Sequence, residues 1–200
     1  SCASLFLPVG IACPSVSKGK VRRGTHLSTF VTVGNARQTF TRLLDAVSKH
    51  AASLPQPVVV QYGHTSFECG QCQCIQFLGM EDFIHHIKTA DLLIMHGGLG
   101  SAINAMQAQK VPVVMPRRAE YGEHLNNHQV EFVQLLAKEG KIVPIESDIE
   151  LLPAIEQVRV LQQRLGNISG FIHSPAGEPK LVQLVRQILH KHASAIGKMR

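Results

Sequence analysis

Apolar residues in this chain come in two patterns: short unbroken runs, and longer stretches where they recur at helical spacing. The runs at 29–34, 57–62, 91–95, 111–115 and 141–145 read as strands, and 74–78 reads as a further short one. A run that stays apolar without alternating marks a strand buried on both faces, as in a parallel sheet. Between the runs, 38–53 carries Phe40, Leu43, Leu44 and Val47 on one helical face, and 81–89 carries Phe83, Ile84 and Ile87. Helices are also predicted over 102–108, over 126–138 with Gly140 as its cap, and over 148–165, where Pro153 suits the first turn. A loop at 169–179 then leads to an amphipathic helix at 180–192. Strands alternating with helices predict an α/β, Rossmann-like parallel sheet with helices on both faces. No repeat or low-complexity tract interrupts the pattern.

The stretch His96-Gly97-Gly98-Leu99-Gly100-Ser101 stands between a predicted strand and a predicted helix. Strand, glycine turn, helix start is a geometry that binds phosphate. Glycine lets backbone pass close to a ligand, and a helix start offers unpaired N–H groups and the positive end of a dipole. The same turn also arises from steric need alone. Ser101 reads either as a helix N-cap or as a phosphate ligand, and His96 either as a core histidine or as a residue bordering the ligand. The next strand stops at Pro116 and opens into Arg117-Arg118-Ala119-Glu120-Tyr121-Gly122-Glu123-His124-Leu125-Asn126-Asn127-His128-Gln129. Polar loops at the C-terminal ends of parallel strands are where open α/β sheets bind ligands.

Length and charge narrow the field. Two hundred residues suit one domain with a proper core. No apolar run approaches the ~20 residues of a membrane-spanning helix. The formal charge of +6 favours an anionic partner. A nucleic acid is disfavoured, because the basic residues are scattered, tryptophan is absent and the two tyrosines are not interleaved with charge. In the first 27 residues a small apolar stretch precedes the basic run 18–23, the reverse of a secretory signal. Residues 1–27 therefore read as an extension without packed structure, and 28–195 as the domain. The alternative for 18–23 is a basic patch that touches an anionic membrane.

The pattern Ala90-Asp91-Leu92-Leu93-Ile94-Met95-His96-Gly97-Gly98-Leu99-Gly100-Ser101, the strand ending at Pro116-Arg117, and Tyr121-Gly122-Glu123-His124 followed by His128-Gln129 resemble the C-terminal domain of glycosyltransferase family 28. Thr29 to Gly34, then Phe40, Arg42 and Leu43, then Gln61-Tyr62-Gly63 extend the resemblance, which runs from about Thr29 to about Glu150. The similarity is greatest to the free-standing subunits of two-subunit transferases, in exopolysaccharide synthesis and in addition of the second N-acetylglucosamine to a lipid-linked oligosaccharide.

That resemblance implies the C-terminal half of a GT-B glycosyltransferase, binding a UDP-sugar such as UDP-GlcNAc with no further cofactor. It implies donor binding by Gly34, His96, Gly97, Gly98, Gly100, Ser101, Asn104, Arg117, Glu123, His128 and Gln129. Arg117 and Arg118 are the nearest cations for the leaving diphosphate, or else a solvated pair. Asn104 stands where many relatives carry glutamate for the ribose hydroxyls. It offers one acceptor oxygen and a donor nitrogen in place of an anion. Asn127 replaces an aspartate, and Asn126 reads as an N-cap. An inverting transfer needs a base. His96, Glu123 and His124 are the candidates on this chain. In two-domain relatives the base and acceptor site belong to the other half, which implies a membrane-anchored partner subunit and a cytoplasmic location at a membrane face. The alternative function is a non-catalytic nucleotide-binding or interaction module with a degenerate donor site.

Cys69, Cys72 and Cys74 with His64 present enough soft ligands for tetrahedral zinc. The spacing fits no paired-knuckle site, and reduced thiols are the expected state. Five cysteines, an odd count, argue against a disulfide framework.

Overall fold

The computed structural model describes residues 27–168, with backbone only over 165–168. The predicted extension 1–27 (except Leu27), the loop 169–179 and the helix 180–192 lie outside the described residues. Six parallel strands form one sheet: β1 (Thr29–Thr32), β2 (Val58–Gln61), β3 (Cys72–Ile75), β4 (Leu92–His96), β5 (Val113–Met115) and β6 (Val143–Pro144). Their order is β3-β2-β1-β4-β5-β6. The α/β, Rossmann-like architecture expected from the alternating elements is the one observed.

The unbroken apolar runs are explained by burial on both faces. Val31, Val58, Val60, Leu92, Ile94, Val113 and Met115 point to one face, beneath α1 (Thr41–His50) and α5 (Leu151–Ile168). Their neighbours Phe30, Val59, Leu93, Met95 and Val114 point to the other face. There they meet α2 (Met80–Thr89), α3 (Leu99–Gln107) and α4 (His128–Lys138). Gly140, with φ of 64°, ends α4 as predicted.

Several boundaries differ from the expected ones, each for a local reason. α1 starts at Thr41 rather than at 38, because Phe40, at φ −136° and ψ 60°, lies outside the helical region and gives its N–H to the Thr65 hydroxyl at 2.9 Å. β3 lies over Cys72–Ile75 rather than 74–78, paired to β2 in the register Val58↔Cys72. β5 starts after Pro112, and β6 is the far edge strand, where Pro144 costs no ladder bond. α4 starts at His128: Asn126 Oδ1 accepts the His128 N–H at 3.3 Å, and Asn127 Oδ1 is turned away to the Ala119 N–H at 2.9 Å.

The chain runs outward from β1 to β3, returns to the middle at β4, then runs outward the other way to β6. Loops leaving adjacent strands β1 and β4 therefore diverge and open a crevice at their C-terminal ends. In doubly wound sheets this switch point is where ligands bind.

Candidate functional site at the sheet switch point

Two loops frame the crevice: 33–40 after β1, and Gly97-Gly98 after β4. The β1 loop is pinned by buried polar residues. The Gly34 N–H reaches the Thr32 hydroxyl at 3.1 Å, Thr32 donates to Gln61 Oε1 at 2.6 Å, and Gln61 donates to Asn35 Oδ1 at 3.0 Å. Thr32 and Gln61 are both fully buried. Thr32 and Gln61 entered the sequence comparison only as strand positions, and Asn35 and Thr65 not at all, because the bonds that join them run between residues 25 or more apart.

Between the loops lies the ring of His96. Its Nδ1 is 3.4 Å from the Thr32 carbonyl oxygen, an arrangement for the tautomer that donates from Nδ1. The ring fits only because residues 34 and 98 are glycine. A Cβ on Gly34 would stand 2.5 Å from His96 Cε1, and one on Gly98 would stand 2.3 Å from His96 Nε2. Gly34 also holds φ of 72°. The glycines that sequence reading assigned to a ligand are thus required, at 34 and 98, by a histidine. Gly97 is close-packed in its turn against Val133 of α4.

Burial pushes the His96 imidazole down to about 4, helped by the Arg117 charge and more weakly by His124. The unfolded chain takes up this proton near pH 6.5 and the native state does not. Native stability is therefore expected to fall as pH drops from 6.5 towards 4, by at most about 3 kcal/mol from this group. Urea titrations at stepped pH check this: His96→Gln should flatten the loss over that window. Parallel pH profiles for parent and variant would rule out a His96 held neutral by its surroundings.

α3 begins directly after Gly98, which is its N-cap residue and has no side chain to cap with. Its first intrahelical bond is Ala102 N–H to the Gly98 carbonyl at 3.1 Å. The earlier N–H groups, of Leu99, Gly100 and Ser101, lie outside the helix's own ladder. No acidic residue stands in the first turn, whereas α2 has Glu81 and Asp82 there and α4 has Glu131. Ser101 lies inside the first turn, so it is not the N-cap. A Cβ on Gly100 would meet nothing within 4 Å. Asn104, half-buried one turn on, gives its side-chain N–H to the Gly100 carbonyl at 3.0 Å.

Gln129 on α4 closes the crevice from the β5 side. Its Oε1 accepts the Arg117 backbone N–H at 3.2 Å, and its side chain reaches the Gly97 turn. His128 is exposed on the first residue of α4. His124 is half-buried, with Nδ1 3.2 Å from the Asn126 carbonyl oxygen.

Arg117 and Glu123 are both engaged by other parts of the protein. Arg117 is fully buried. Its guanidinium donates to the carbonyls of Val33 at 2.8 Å, Gln38 at 2.8 Å and Glu123 at 3.0 Å, and lies 4.6 Å from the centre of the Phe40 ring. Burial pulls it down to about 10, with Glu123 opposing. Glu123 is held bidentate by Arg42, at 3.0 Å and 2.8 Å, and also accepts the Arg118 N–H at 2.9 Å. Both of its carboxylate oxygens are occupied by the protein. Arg118 is paired with Glu120 and Glu146. These ties join the β1 loop, the β5 loop and α1 into one rim.

The three cysteines do not form the metal site considered above. Cys72 and Cys74 are on edge strand β3, while His64 is exposed and packs edge-on against Phe77. No group of three or more His, Cys, Asp or Glu among the described residues is placed to hold a metal.

A 3-2-1-4-5-6 parallel sheet with a crevice at β1/β4 defines a Rossmann-like domain. The profile of the glycosyltransferase family 28 C-terminal domain matches residues 28–154, and the chain belongs to that family. Solved structures agree on the fold. The glycotransferase of kitacinnamycin is 17% identical with a TM-score of 0.53, covering 78% of this chain and 42% of its own. The glycosyltransferase SnogD from Streptomyces nogalater is also 17% identical with a TM-score of 0.53, covering 84% of this chain and 45% of its own. The domain has the fold of one GT-B half, and the chain spans under half the length of these two enzymes. No curated protein matches it in sequence.

Proposed function

We propose that this domain binds the UDP-sugar donor, UDP-GlcNAc or a close analogue, of an inverting glycosyltransferase. The observation that carries the reading is the uncapped, acid-free start of α3 at the switch point, inside the matched region. A diphosphate there meets the unpaired N–H groups of Leu99, Gly100 and Ser101, and the helix dipole favours its charge. As the sugar departs, negative charge grows on the β-phosphate, and fixed N–H donors stabilise that charge more than the ground state. Gln129 at the Gly97 turn faces the sugar, and Asn104 the ribose. Arg117 contributes through the rim it holds, and through its charge behind His96, without touching the donor.

The base belongs elsewhere in this reading. Glu123 is saturated by Arg42, and His96 is enclosed between two glycines. A second, membrane-anchored subunit supplies the acceptor site and the base, and the acceptor is a lipid-linked or polysaccharide-precursor sugar at the cytosolic face. None of the described helices is long and apolar enough to cross a membrane. The bond from Asn104 to Gly100 favours a second reading, a donor site that binds without supporting transfer.

Calorimetric titration separates these readings. UDP is expected to bind one-to-one, and uridine at least tenfold more weakly, because α3 addresses the diphosphate. Equal affinities would overturn the assignment of α3. The purified chain is expected to transfer no sugar from UDP-GlcNAc to a lipid-linked acceptor until the second subunit is added. Turnover by the chain alone would defeat the two-subunit reading, and binding without turnover in the complete pair would favour the binding module.

A further inference from the structure

Cys69-Gly70-Gln71-Cys72 forms a tight turn at the entry of β3, closed by the Cys72 N–H on the Cys69 carbonyl at 3.0 Å. A turn with this bond keeps its end Cα atoms within ~7 Å, inside the range a disulfide spans. The Cys72 thiol already donates to Cys69 Sγ at 3.3 Å. Both sulfurs are half-buried, and Cys74 two residues on is exposed. The turn packs beside Ser48 of α1, at the edge of the sheet and at the opposite strand ends from the crevice.

The two thiols are unlike. Burial pushes Cys69 up, but the N–H of Gln71, the Cys72 thiol and the Ser48 hydroxyl together outweigh it and leave it below its ordinary value. Burial, with the bond to Cys69, pushes Cys72 up to about 12. An attacking thiol held towards the thiolate, beside a second that keeps its proton, is the asymmetry that Cys-x-x-Cys redox pairs use.

We propose that Cys69 and Cys72 form a redox-active dithiol, with Cys69 the nucleophile and Cys72 the resolving thiol, whose co-substrate is a small-molecule disulfide such as oxidised glutathione. Cys69 thiolate attacks one sulfur of glutathione disulfide, forms a mixed disulfide and releases one glutathione thiolate. That step removes the charge on Cys69, the neighbour that holds the Cys72 proton in place. Cys72 then loses its proton, attacks Cys69 Sγ and expels the second glutathione. Two protein thiols are oxidised to one disulfide, one glutathione disulfide is reduced to two thiols, and the two protons pass to the leaving thiolates. This dithiol lies apart from the donor site and acts independently of it.

The test uses the whole chain, since tryptic peptide 50–88 contains all three of these cysteines and neither Cys2 nor Cys13. After oxidised glutathione and alkylation, that peptide is expected to be two hydrogens lighter, with alkyl label on Cys74 only. Cys72→Ser should accumulate a glutathionyl adduct on Cys69, Cys69→Ser should lose most of the reaction, and Cys74→Ser should react like the parent. Label on all three thiols, a bridge from Cys74 or to Cys2 or Cys13, or a Cys69→Ser variant as fast as the parent would each overturn the proposal.

Discussion

Arg117→Met is expected to remove about 3 kcal/mol of folding stability, a large part of the 5–15 kcal/mol that holds a typical domain together. The guanidinium is the common partner of carbonyls from Val33, Gln38 and Glu123, at distances of 2.8–3.0 Å. Methionine fills much of the volume and the face of Phe40, but it donates nothing, and each buried carbonyl left alone costs about 1–3 kcal/mol. Release of a buried charge offsets part of this, because Arg117 Nε has no partner. Arg117→Lys should fall between the two, since an ammonium keeps the charge but has no fork with which to span these carbonyls. The measurement is the urea midpoint with its slope. A variant with the parental midpoint and no affinity for UDP would show that Arg117 is a ligand contact after all.

The same arginine marks the limit of what the chain reveals as text. Beside Arg118 in a loop with Glu120 and Glu123, it reads as one of a cationic pair facing an anion. The structure separates them: Arg118 stays near the surface with Glu120 and Glu146, and Arg117 turns inward to Val33, 84 residues away. Glu123 is likewise taken by Arg42, 81 residues away. Local charge pattern carries no information about such partners. The strands were legible because burial on both faces writes an unbroken apolar run into the sequence. Their order was not, because all parallel arrangements of those runs share that pattern. Boundaries slipped wherever a distant side chain claims a backbone N–H, as Thr65 does at Phe40. The glycine turn was legible as a turn. That Gly34 and Gly98 answer to His96, while Gly100 answers to nothing within 4 Å, required the fold.

That difference between glycines decides which one tests the donor site. A side chain at position 98 would strike the His96 ring, so lost binding there would report a damaged turn. Gly100→Asp is expected to abolish most diphosphate binding while the domain stays folded. Its Cβ has open space, exchanging a helical glycine for aspartate recovers about 0.3 kcal/mol of helix propensity, and a carboxylate in the first turn of α3 is favoured by the dipole by about 0.3–1 kcal/mol. The apo domain should therefore melt no lower than the parent, and by these terms somewhat higher. For a diphosphate the sign reverses. The new carboxylate occupies the field that the anion would use and repels it by about 2–4 kcal/mol at contact distances near the surface. That repulsion corresponds to a loss of roughly thirty- to seven-hundred-fold in affinity, and added salt should soften it. Uridine, which has no phosphate, should bind the variant and the parent alike. Melting curves and paired UDP and uridine titrations measure all of these quantities. A stabilised Gly100→Asp that still binds UDP as the parent does would mean that the start of α3 is a steric turn and no anion site.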